Sequence, residues 1–170
     1  PGHGYSGPAA SPADLTIKTF AGHLRKLCAE LKVKDPLIIA HSMGVQVSLQ
    51  AIHDGLEARG LAIIFGAAGR VLDQYGGNDR LGRYLPLLRT VLARQKNLIQ
   101  VVWKHIMPTR FGLAIGLMTE LNAMRMRPAD FMPYLERLSV MDPEVFLAVL
   151  ADAAEHDARP WLCLLYTSPS

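Results

Sequence analysis

The sequence predicts an α/β fold in which a small parallel sheet is followed by a long all-helical stretch. Two short, β-branched apolar runs, at 36–40 and 61–65, are too short for helices and read as buried strands. Helical patterns precede and separate them, which is the order of a parallel sheet with crossover helices. From about residue 70 to 157 every pattern is helical. Ser42 stands alone where the first run meets a helical pattern.

Composition and charge place the chain among ordinary globular domains. It has 170 residues, of which 50% are hydrophobic and 19% charged, so it can bury a sizeable core. The formal net charge is only +3, so we expect no nucleic-acid partner. Residues 70–137 carry 11 Lys/Arg against 5 Asp/Glu, and residues 138–170 carry 1 against 5. We interpret the first stretch as a solvated basic face.

Cysteines and apolar runs indicate the setting of the chain. Cys28 and Cys163 are too few for a disulfide framework or a metal site, so a reducing, cytoplasmic location and no cofactor are expected. The longest apolar run, 111–118, falls short of the ~20 residues that cross a bilayer, so we expect no membrane span. Because the sequence opens with Pro1, we interpret it as a piece of a longer protein.

The N-terminal third leads into the first strand. Residues 1–8 are dense in glycine and proline and form a loop. Ser11 then offers an N-cap with Pro12 at the first helical position, and apolar residues recur at helical spacing up to Leu31. These features predict a helix over 12–31 that delivers the chain into the strand at 36–40.

The stretch around Ser42 predicts a sharp turn from strand to helix. Ala40 and Gly44 flank the serine, and such a turn requires small flanking residues because it brings backbone and neighbouring elements close together. The following helical pattern ends at Gly55, a helix stop. The second strand, 61–65, lies between Gly60 and Gly66.

The helical stretch contains five predicted helices, at 81–92, 98–107, 111–124, 131–138 and 145–154. Prolines mark their boundaries, and Thr109 and Asp142 are the predicted caps. Six of the seven methionines lie between 107 and 141, which fits either an adaptable apolar wall or simple filling of gaps between helices, and the second is favoured for any single methionine. Trp103 and Phe111 are expected in the core rather than in a ligand contact.

The segment Ala40-His41-Ser42-Met43-Gly44 resembles the nucleophile turn of the serine α/β-hydrolase family, with alanine where that family usually has glycine. The run from Gly2 to Ser6 resembles a loop that precedes the first long helix of the family, and the helical stretch resembles its lid. The resemblance implies a partial parallel sheet with an all-helical cap insertion, Ser42 as the nucleophile and the Met43 backbone N–H as an oxyanion-hole donor. It also implies a hydrolase core at 1–69 and a cap at 70–157.

The remaining residues, 158–170, are interpreted as a truncated or non-native tail, since 162–170 look like translated adapter sequence. The family order places an acid and then a histidine after the lid, and this tail offers neither. His156, in an acidic helix end, is interpreted as a solvated cation. His41 is expected to point away from the Ser42 hydroxyl into the surrounding structure, and His3 to hold a turn.

The resemblance therefore implies a fragment of a serine hydrolase that acts on small, mostly apolar esters or acyl compounds. Its triad acid and base and its second oxyanion donor are expected to lie outside the chain, which would make the fragment inactive as supplied. Two alternatives stay open. One is a hydrolase-fold enzyme for another bond, such as a carbon–carbon hydrolase, a lactonase or a haloperoxidase-like enzyme. The other is a non-catalytic binding protein on the same fold.

Overall fold

The computed structural model describes residues 5–7, 9, 11–70, 87, 90, 91, 94–119 and 127–162. The chain divides into two compact units, one made of residues 10–85 and 148–170 and the other of residues 1–9 and 86–147. The hydrolase-core and cap boundaries drawn at 69/70 and 157/158 stay predictions. The helices are α1 (Ile17–Glu30), α2 (Met43–His53), α3 (Lys96–Ile106), α4 (Arg110–Thr119), α5 (Pro128–Ser139), α6 (Pro143–Glu155) and α7 (Arg159–Leu162).

The unit of residues 10–85 and 148–170 contains a two-stranded parallel sheet among its described residues. Strand β1 (Leu37–His41) pairs with β2 (Gly60–Ile64) in a register that places Leu37 opposite Gly60 and His41 opposite Ile64. Helix α2 forms the crossover between them. The prediction of a mixed α/β fold with a parallel sheet is confirmed at this level. β1 starts after Pro36, which has no N–H to donate to a ladder.

Helix α1 begins five residues later than the sequence predicts. Residues Pro12–Asp14 form a separate 3-10 turn, in which the Ser11 hydroxyl accepts a hydrogen bond from the Ala13 N–H at 3.2 Å. Thr16 is extended (φ −122°, ψ 154°) and interrupts the helical path, and its Oγ1 accepts from the Thr19 N–H at 3.1 Å. The predicted helix over 12–31 is therefore wrong at its start, because a second capping residue follows the first.

The core of this unit lies on one face of the sheet. Ala40, Val45, Leu49 and Ala158 are buried together, and Trp161 and Leu162 pack against them. On β1, Ala40 is buried while Leu37 and Ile39 are each 69% exposed, as expected when alternate side chains face opposite sides. Residues 158–162, which the sequence analysis assigned to the tail, thus contribute to this core. Residues 163–170 lie outside the described part.

The regular secondary structure in the described residues of the unit of 1–9 and 86–147 is helical. The predicted caps are confirmed: Thr109 Oγ1 accepts from the Phe111 N–H at 3.2 Å, and Asp142 Oδ1 accepts from the Glu144 N–H at 2.8 Å. Pro128 and Pro143 are the first residues of α5 and α6, where a proline costs no helical hydrogen bond. The predicted helix at 81–92 and the residues of the third predicted helix beyond 119 fall largely or wholly outside the described residues.

Trp103 ties α3 into this unit. Its Nε1–H donates to the Leu138 carbonyl at 2.8 Å, and its ring lies 5.3 Å from the ring of Phe146. The expectation of a packed Trp103 agrees with these contacts. The same expectation for Phe111 is wrong, because Phe111 is 64% exposed at the start of α4. Helical spacing does not distinguish the two aromatics, since a helix can carry apolar residues on a face that nothing covers.

Within the described part of the chain, none of the helices combines the length and the apolar composition that crossing a bilayer requires.

Candidate active site

Ser42 occupies a strained turn between β1 and α2. Its backbone has φ 52° and ψ −127°, a combination that residues with a side chain rarely adopt and that costs roughly 1–3 kcal/mol. Hydrogen bonds fix it on both sides: the Ser42 N–H donates to the Phe65 carbonyl at 2.9 Å and more weakly to Ile64 at 3.2 Å, and the Ser42 carbonyl accepts from Val45 at 3.0 Å. The sharp strand-to-helix turn that the sequence predicts is present.

A glycine makes this turn possible, but it is not the one that the sequence analysis chose. A Cβ atom on Gly66 would lie 2.2 Å from Val45 Cγ2 and 2.9 Å from the Ser42 carbonyl oxygen, so the loop after β2 touches the turn through bare backbone. A Cβ atom on Gly44 would meet nothing within 4 Å. The predicted close approach at Gly44 is therefore not found among the described residues, whereas Ala40 on the strand side is only 4% exposed.

The Ser42 side chain is exposed and makes no hydrogen bond with the described residues, including the helix that it precedes. The backbone N–H groups of Met43 and Gly44 open α2 and have no hydrogen-bond acceptor within the described ranges. The first N–H groups of a helix lack intrahelical partners and carry the positive end of its dipole. The turn therefore presents a hydroxyl and two unpaired N–H donors in consecutive residues, as a nucleophile beside part of an oxyanion hole would require.

In the unit that contains Ser42, neither His53 nor His156 lies beside Ser42. His53 lies eleven residues along α2, about 16 Å away at 1.5 Å per residue. His156 Nε2 is 3.1 Å from Gln50 Oε1, and Gln50 lies about 12 Å along the same helix. His41 precedes Ser42 and is exposed, so the expectation that it points into surrounding structure is wrong: it shares the side of β1 on which Leu37 and Ile39 are exposed. His3 lies outside the described residues.

His156 is a packed side chain and not the solvated cation that the sequence analysis expected. Its ring meets the edge of Trp161 at 6.4 Å. The Gln50 amide nitrogen donates to Asp54, so the Gln50 oxygen faces His156 and Nε2 carries the proton. Nδ1 is buried with no partner, and burial lowers the pKa of His156 despite the opposing charges of Asp152 and Asp157.

A second polar contact joins the same two helices. The buried Gln46 donates from Nε2 to the Ala153 carbonyl at 2.7 Å, one helical turn from the contact between Gln50 and His156. Asp152 accepts from the Ile17 N–H at 2.6 Å and so ties α6 to the start of α1. These contacts hold the end of α6 against α2 and α1.

Phe65 is a site residue that the sequence analysis did not identify. It follows β2, has φ 47°, is 91% exposed and accepts the Ser42 N–H through its carbonyl. In parallel sheets, ligands bind beyond the carboxyl ends of the strands, and Ser42 and Phe65 follow the carboxyl ends of two paired strands. The available signal was an aromatic directly before a glycine at the end of the second strand.

Among the residues that the structure describes, no group of three or more histidines, cysteines or carboxylates could hold a metal ion. The chain matches no protein-family model and no curated protein.

Proposed function

We propose that the chain carries the nucleophile turn of a serine hydrolase of the α/β-hydrolase family. Ser42 attacks a carbonyl carbon, and the Met43 N–H, with Gly44 beside it, stabilises the negative oxygen that forms. The observation that carries the proposal is the strained backbone of Ser42, held at φ 52° between a parallel strand and the helix that follows it. Strain on a serine with an uncommitted hydroxyl is typical of a functional position.

The surroundings of Ser42 support an apolar acyl substrate. The exposed ring of Phe65 projects from the segment that hydrogen-bonds the Ser42 backbone, and an ester with an apolar acyl chain would cover that ring while its carbonyl lies over the turn. The described residues offer no charged group bonded to Ser42 that would favour a charged substrate. We therefore propose esterase-like transfer of a small, mostly apolar acyl group to water.

Neither His53 nor His156 is the base that activates Ser42, since His53 lies three turns along α2 and His156 contacts Gln50, two turns along the same helix. A serine hydroxyl alone is a weak nucleophile, so this chain by itself should react slowly. The distance of His53 and His156 from Ser42 also favours one other candidate function, a non-catalytic binding protein on the same fold. Hydrolysis of a carbon–carbon bond or a lactone would use the same Ser42 and differ in the pocket.

A fluorophosphonate probe tests the proposal, because it phosphonylates serines that a protein environment makes nucleophilic. We expect mass spectrometry of the labelled 170-residue chain to find the phosphonyl group on Ser42 when the chain is folded. Added imidazole should accelerate the labelling by supplying a general base in solution. The same chain unfolded in urea should show no preference for Ser42.

Two variants control the experiment. Ser42→Ala should abolish the selective label, and Ser11→Ala, which removes the hydroxyl that caps the turn before α1, should leave it unchanged. Labelling spread equally over several serines in the folded chain, or an equal rate at Ser42 in the folded and unfolded chain, would contradict the proposal and favour the binding protein.

A further inference from the structure

Helix α3 carries an exposed apolar stripe in addition to the face that packs. Leu98, Val101 and Val102 are 61%, 56% and 43% exposed, and their spacing places them on one face. The half-buried Trp103 and its neighbours at the same helical spacing form the inner face, anchored by the hydrogen bond from Trp103 to Leu138. The helix is thus held in place by one apolar face while a second remains open.

The sequence around this stripe is basic without exception. Residues 80–119 contain no aspartate or glutamate and seven basic side chains, which are Arg80, Arg83, Arg89, Arg94, Lys96, Lys104 and Arg110. Lys104 and Arg110 are exposed, and neither forms an ion pair with a described residue. Lys96 is 2.7 Å from Glu144, so its charge is already compensated. The stretch of 40 residues has a formal charge of +7 in a chain whose total is only +3.

We propose that α3 docks on the surface of an anionic lipid bilayer. Leu98, Val101 and Val102 enter the boundary between headgroups and acyl chains, while the exposed Lys104 and Arg110 contact lipid phosphates. A helix that combines an open apolar stripe with a basic flank is the form that lies in a membrane interface without crossing it. The inference concerns a surface separate from Ser42 and does not depend on the proposed hydrolase function.

The observations favour a lipid surface over an acidic protein partner. Lys104 lies on the helix flank beyond Val101, about 60° around the axis from Val101 and about 120° from Leu98 at 100° per residue, so its long side chain can reach the phosphate level beside the stripe. Phe111, at the start of α4, is also exposed, and it adds to the apolar content of the acid-free stretch. An interface between acyl chains and phosphates offers both chemistries along its whole extent.

Vesicle co-sedimentation tests the proposal with the 170-residue chain. The two vesicle types are phosphatidylcholine alone and phosphatidylcholine mixed with phosphatidylglycerol. We expect binding to the mixed vesicles only, and weaker binding as salt is raised, because salt screens charges at the surface. Lys104→Gln should lower the partition coefficient about fivefold, the effect of one basic residue near an anionic surface. Val101→Asp should lower it by about tenfold or more, since it adds a negative charge within the stripe.

Val140→Asp is the matched control, because Val140 is 69% exposed and lies outside both the stripe and the acid-free stretch. It should bind like the original chain, and circular dichroism should show that all variants keep their helices. Equal binding to neutral vesicles, equal loss in Val101→Asp and Val140→Asp, or absence of vesicle binding would each overturn the proposal. If the anionic vesicles do not bind the chain, salt-sensitive binding to poly-glutamate would indicate an acidic protein partner instead. A dimer that Val101→Asp dissociates would indicate a second copy of the chain.

Discussion

Replacing Gly66 by alanine should destabilise the folded chain, because the added methyl group would overlap the turn at Ser42. The new Cβ atom would lie 2.2 Å from Val45 Cγ2 and 2.6 Å from Val45 Cβ, whereas ordinary contacts begin at 3.4 Å. Val45 is fully buried and the third neighbour is the Ser42 backbone oxygen, so neither can move away cheaply. Overpacking of this kind costs typically about 1–3 kcal/mol.

For a chain of this length, a loss of about 2 kcal/mol corresponds to a fall in Tm of about 4–8 °C. The assay is thermal and urea unfolding followed by circular dichroism. Gly44→Ala is the control: it lies two residues after Ser42, its new methyl group meets nothing within 4 Å, and alanine favours helix over glycine by up to about 1 kcal/mol. Gly44→Ala should therefore leave stability unchanged or raise it.

A double-mutant cycle assigns the loss to the contact itself. Val45→Ala removes Cγ2, the atom nearest the new Cβ, and keeps the Val45 Cβ at 2.6 Å, so the cost of Gly66→Ala should be smaller in the Val45→Ala background than in the original chain. Neighbouring residues of this kind show coupling energies of about 0.5–3 kcal/mol. Gly66→Ala with unchanged stability, or the same cost in both backgrounds, would refute the described packing of the loop against the turn.

Two further predictions concern the helices that hold α2. The pKa of His156 in the folded chain is below 6.5, so below pH 6.5 the unfolded chain binds more protons and stability should fall as the pH is lowered. His156→Gln should reduce this fall in urea-unfolding experiments between pH 8 and pH 5, and an identical pH dependence in both proteins would contradict the neutral, packed histidine. Asp152→Ala should lower the free energy of unfolding by about 1–2 kcal/mol, because the Ile17 N–H loses its acceptor, whereas Asp152→Asn, which keeps an acceptor oxygen, should lose less. Equal losses in both variants at neutral pH would argue against that hydrogen bond.

Local signals predicted the elements around Ser42 well. The two β-branched runs became paired parallel strands, and Thr109 and Asp142 cap their helices as their side-chain chemistry indicates. The start of α1 was wrong because two capping residues, Ser11 and Thr16, lie five positions apart and a sequence pattern does not decide between them. Helix caps and strand propensity depend on residues that are close in sequence, so they can be predicted from the sequence alone.

Features that depend on distant contacts were not predicted. The close approach belongs to Gly66 because Val45 is packed against the loop after β2, a contact across twenty-one positions. His156 is packed because Gln50, from another helix, meets its ring. Phe111 and Trp103 have similar helical spacing and different exposure, since only Trp103 finds a partner in Leu138. The helical spacing of apolar residues predicts that one face of a helix is apolar, but it does not predict which residues cover that face.

We propose that the Ser42 hydroxyl and the Met43 N–H form one site, and nuclear magnetic resonance tests this most directly. After phosphonylation of Ser42, a phosphonyl oxygen should accept a hydrogen bond from the Met43 N–H, which has no acceptor among the residues that the structure describes. We expect the Met43 amide proton to move downfield while the amide of Val47, one turn further along α2, stays in place. A fully modified Ser42 with an unchanged Met43 amide would contradict it.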